Sequence, residues 1–160
     1  MAVDERQEDD TIDVLDSINH QQADLYIYGA LVAGFLSFFL DFVVVSAPVV
    51  GDIAVAGTNF DVYYLGIICV LVGAGAVAIG RYAIAVASGI GLALSGVFTF
   101  VTMQSRIERM QAELAGNIFA DAVSASVGIG VYALVVAGIA VVVLSAREVD
   151  MDELNIEDSE

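Results

Sequence analysis

The chain has 160 residues with 21 acids against five bases, a formal net charge of −16, yet 59% of its residues are hydrophobic and its mean hydropathy is +0.84. One Cys, one His and this negative charge exclude a disulfide scaffold, a structural zinc site and a nucleic-acid-binding surface. Soluble domains run at about 25% charged residues, whereas here 16% are charged and most sit in two short segments, which points to a membrane protein with acidic ends.

Residues 1–24 hold eight acids and one Arg. They read as a solvated acidic tail, with a short amphipathic helix where Thr11 caps Ile12, Leu15 and Ile18. The acidic start does not match a secretory signal, which needs a basic region before a short apolar run. The first predicted span covers residues 25–45 and is rich in Phe (Phe35, Phe38, Phe39, Phe42), with Pro48 expected to end it. Residues 47–61 carry Gly51, Asp52, Gly57, Asn59 and Asp61 and read as a loop. The second and third spans, 62–79 and 82–102, are separated by Gly80 and Arg81 alone and form a tight helical hairpin. Met103, Ile107, Met110 and Leu114 extend the third helix as an amphipathic stretch that stops at Gly116 and Asn117. The fourth span covers 122–145, and residues 146–160 form a second acidic tail with seven acids and one Arg. The expected fold is therefore all-α, a polytopic four-transmembrane-helix bundle over residues 25–145.

Lipid gives helices no hydrophobic reason to associate, so small residues must let them pack closely. Gly73 and Gly75, then Ala85, Gly89 and Ala93, then Ser126 and Gly130 supply such faces. Both tails are expected in the cytoplasm, with Arg81 and Arg147 beside their spans as anchors on that side.

Asp41 is the residue that most invites chemistry. On a helix starting at Leu25 it lies about 24 Å along the span, with Ser37 one turn earlier. A carboxylate at that depth marks an ion or proton site, or pairs with Arg106 or Arg109 across the bundle. Asp61 and Asp121 are further acids within reach of those two Arg. Cys69 reads as a structural thiol. The single His and the lack of Lys leave no bis-His haem or retinal Schiff base, and the acids after Asp150 lack the turn Gly of a calcium loop. No cofactor is implied.

The one-Arg connection, the Gly-rich third span and the opening Ser126-Val-Gly128-Ile-Gly130-Val-Tyr132, running on to Gly138, resemble small four-span membrane proteins of archaea and actinobacteria whose function is unknown. The resemblance covers residues 25–146 and implies a fold without an activity. The Lys-free acidic balance is similar to that of extreme halophiles, because carboxylate repulsion is screened where the Debye length falls to about 3 Å in molar salt. The size also resembles that of small multidrug transporters, but here the acid comes late in the first span and Trp is absent. The expected role is a non-enzymatic accessory or structural component of the cell envelope or of a membrane complex. Its partners would be the lipid bilayer and other membrane subunits or further copies of itself, not nucleic acid. The alternative is a small homo-oligomeric channel or transporter using Asp41.

Overall fold

Three consecutive valines, Val43 to Val45, are stiff at χ1 and favour extended backbone over helix. In the computed structural model, which describes residues 5–47, 51–114 and 124–157, they lie in a strand. The elements in chain order are α1 (Glu5–Ser37), β1 (Asp41–Ala47), β2 (Gly51–Ala56), a short 3-10 turn (Gly57–Asn59), α2 (Val62–Ala78), α3 (Tyr82–Leu114), β3 (Ser124–Val127) and α4 (Ile129–Glu157).

This corrects the expected all-α four-span bundle. A three-stranded antiparallel sheet, ordered β2-β1-β3, stands where the first span was to finish, where a loop was expected, and where the fourth span was to begin. Among the described residues, α3 and α4 alone are long and apolar enough to cross a membrane, with mean hydropathies of 2.0 and 2.6 over their apolar windows. α2 is a shorter apolar helix of 17 residues. α1 leaves its helical path at Ser37, where Phe38, Phe39 and Leu40 donate to the carbonyls of Phe35, Leu36 and Ser37 and tighten the chain into turns. Its helix also starts at Glu5, well before Thr11, so Thr11 lies inside it rather than capping it. Pro48, Gly116, Asn117 and Asp121 lie outside the described residues.

The sheet is tied to the helices through Phe42. The backbone is irregular between Asp41 and Val43, and the Phe42 ring there is fully buried. It stacks on Phe60 at 5.9 Å and meets Phe38 at 5.8 Å. Gly128 donates its N–H to the Phe42 carbonyl at 2.8 Å, joining the end of β3 to the start of β1. Its α-carbon lies so close to the Asp41 carbonyl that no β-carbon fits there.

α3 packs along α4 and α2, and α1 packs against α4 and α2. Two apolar clusters form between them. One, nearer the sheet, contains Phe38, Phe42, Leu92, Val131 and Leu134. The other, near the α2–α3 turn, contains Ile27, Leu31, Val77, Tyr82, Ala85 and Val141. Gly80 makes that turn with φ +67°, a left-handed backbone that residues with a β-carbon adopt at a cost.

Candidate functional site

Helical backbone in an apolar setting already satisfies its own donors and acceptors, so each added hydroxyl must find a partner nearby. On α3, Ser95 donates to the Gly91 carbonyl at 2.8 Å and Thr99 to the Ser95 carbonyl at 2.7 Å. Ser88 donates across to the Cys69 carbonyl on α2. On α1, Tyr28 donates to the Ala74 carbonyl at 3.3 Å. Ser145 on α4 is fully buried, and its hydroxyl has no hydrogen-bond partner among the described residues.

Asp41 and Ser37 do not share a helix face. Asp41 heads β1, is exposed, and pairs through its backbone register with Ala56. Ser37 is buried and donates to the Gly34 carbonyl at 2.6 Å. Arg106 and Arg109 are exposed on the outer part of α3, and neither forms an ion pair with Asp41 among the described residues. Arg106 instead lines a shallow cleft of about 140 Å³ with Asp61, Thr99 and Thr102. Arg81 and Arg147 are both exposed near the α2–α3 turn, where Tyr82 of α3 packs with Val141 and Val149 of α4.

The small residues are used unequally. A β-carbon on Gly138 would come within 2.5 Å of the Ala93 amide nitrogen, and one on Gly89 within 3.0 Å of the Gly138 carbonyl oxygen. Gly89 and Ala93 thus form the close seam between α3 and α4. Gly73 abuts Ser88 and Leu31, whereas Gly75 faces open space. Ala85 is fully buried beside Ile27 and Val141. Gly130, in the first turn of α4, lies over the Phe42 ring and the Ser37 carbonyl. Ser126 is a strand residue, paired with Val44.

Sequence reasoning passed over one feature, a pair of adjoining grooves beside α3. The first, about 270 Å³, is wholly apolar and lies between α3 and α4, lined by Val97, Phe100, Val131, Tyr132, Val135 and Val136. The second, about 540 Å³, lies between the outer part of α3 and β3. Gln104, Glu108, Gln111 and Ser126 contribute its polar groups. Both include Phe100 and Tyr132, whose rings meet edge-on at 5.8 Å. The signal was present in the sequence: Val97, Phe100, Gln104, Glu108 and Gln111 recur at helical spacing, so one face of α3 changes from apolar to polar between Phe100 and Gln104.

Among the described residues no group of three or more His, Cys, Asp or Glu is arranged to hold a metal ion. Compared with protein-family models, curated proteins and solved structures, the chain matches none.

Proposed function

We propose that the chain is a multi-pass integral membrane protein held in the bilayer by α3 and α4, and that it acts without catalysis as an accessory or structural component of the cell envelope or of a membrane complex. The observation that carries this reading is the exposure of large apolar side chains along both helices. Leu94, Phe98, Val101, Val136 and Ile139 are each more than half exposed. Only 39% of each helix's apolar window is buried inside the molecule. A soluble core helix would cover such a face, and contiguous exposed apolar surface on this scale marks a membrane or a partner.

In this reading the end bearing Arg81 and Arg147 faces the cytoplasm, in keeping with the excess of positive charge on that side of membrane proteins. The two acidic segments lie with it, and the sheet faces the other way. The absence of Lys beside 21 acids fits a cell interior at molar salt. An exposed Asp41 in a strand gives the transport alternative no advantage over this reading.

Purification from native membranes in molar salt, with determination of the native mass and of every co-purifying chain, tests the proposal. The expected result is a stoichiometric foreign subunit or a component of the envelope. A homo-oligomer without partners whose ion flux in proteoliposomes vanishes in Asp41→Asn would overturn it. Under the accessory reading Asp41→Asn leaves the native mass and the partner unchanged.

A further inference from the structure

We propose that the two adjoining grooves bind a single membrane lipid with an uncharged, hydroxyl-bearing head group, the hydrocarbon chain lying between α3 and α4 and the head between α3 and β3. The proposal rests on the reading that α3 and α4 stand in the bilayer.

The lining divides the ligand into two parts. Val97, Val131, Val135 and Val136 present only hydrocarbon, which suits an acyl or isoprenoid chain and nothing that needs a hydrogen bond. Phe100 and Tyr132 stand where one groove passes into the other. Tyr132 is 51% exposed, and an amphipathic ring at such a boundary is the arrangement found at membrane–water interfaces. Beyond them, the amides of Gln104 and Gln111 can each donate and accept, the Ser126 hydroxyl can do both, and the Glu108 carboxylate accepts. Such a set matches a head group made of hydroxyls, which also donate and accept.

Charge decides between head groups. A phosphate in the polar groove would face Glu108 with no cation among the described lining residues to offset it. Arg106 lines the separate cleft with Asp61. Arg109 is not among the described lining residues. The sequence from 110 to 146, which supplies the α3–β3 connection, β3 and the membrane part of α4, contains no Lys or Arg. Acidic phospholipids are therefore disfavoured in this groove, and a glycosyl or similar polyol head is favoured.

The protein contains no Trp, so Phe100→Trp places its single Trp, excited selectively over Tyr, at the junction. The full chain is reconstituted in phosphatidylcholine vesicles in molar salt. Lipids with brominated acyl chains, which quench Trp on contact, are then titrated in with either a galactosyl or a phosphatidylglycerol head. The expected result is half-maximal quenching at a mole fraction at least threefold lower for the galactosyl lipid. Combined Gln104→Ala and Glu108→Ala should abolish that preference while quenching persists. Val97→Trp serves as a second reporter if the first variant does not fold. Equal quenching by both heads, or preference for phosphatidylglycerol, overturns the lipid site and leaves the membrane reading standing. No quenching by either lipid overturns both.

Discussion

At the residue scale, the close seam between α3 and α4 depends on a backbone contact rather than on a side-chain fit. Gly138 approaches the amide and Cα of Ala93, at 2.5 and 2.8 Å from where a β-carbon would stand. Backbone on the facing helix cannot rotate away as a flexible side chain can. Gly138→Ala is therefore expected to destabilise the protein by about 1–3 kcal/mol, the usual cost of overpacking. Gly75 is also helical and glycine, but its β-carbon would meet nothing within 4 Å. Gly75→Ala should instead stabilise by about 0.5–1 kcal/mol, because Ala loses less backbone freedom in a helix. Unfolding in denaturant, with both variants in the same detergent, checks the opposite signs. Sequence spacing alone gives Gly73, Gly75, Gly89 and Ala93 equal standing. Only the orientation of each face separates the packed residues from the open one.

At the element scale, the central strand β1 holds the sheet together, because β2 and β3 each pair with it and not with each other. Val44 is paired with Ala54 on one side and Ser126 on the other. Val44→Pro removes a ladder donor and forces a fixed φ, so it should cost at least about 1 kcal/mol. Amide hydrogen exchange should then show protection lost in β2 and β3 while the α3–α4 seam keeps its own. α2 and α3 were legible in the sequence, since long apolar stretches with small-residue periodicity have few other solutions, whereas α1 and α4 run on through residues 5–24 and 146–157, where acidic tails were expected. The strands were not. An apolar run of under ten residues fits a buried strand as well as a helix, and Phe42 to Val45 continued the Phe-rich stretch before it with Asp41 as the single interruption. Ser124 to Val127 is only four residues long, and its pairing lies with a strand far away in sequence, where no local pattern reports it. The candidate lipid groove was missed for a related reason: Gln104, Glu108 and Gln111 read as an ordinary polar helix face until β3 is placed opposite them.

At the scale of the whole molecule, exposed apolar residues fall into two populations that the membrane reading separates. Ile139 on α4 is 52% exposed and Ile53 on β2 is 50% exposed. Their exposure is nearly equal, yet Ile139 stands midway along a helix long enough to span and Ile53 stands in the sheet. Ile139→Arg should impair insertion by about 2.5–3.5 kcal/mol, the cost of an Arg at the centre of a span. Ile53→Arg should be close to neutral. Resistance to alkaline carbonate extraction, measured for both variants, distinguishes the two, and equal behaviour would argue against α4 lying in the bilayer. The β1–β3 pairing also sets an order of events during synthesis. Val43 pairs with Val127, so one edge of β1 waits without its neighbour until roughly 80 further residues have been made. At about 5–20 residues per second that delay is on the order of 4–16 seconds. Throughout it, the β1–β2 hairpin offers an open edge to any other chain being made nearby. The sheet therefore cannot close until β3 has been made, and until then the free edge of β1 is open to mispairing.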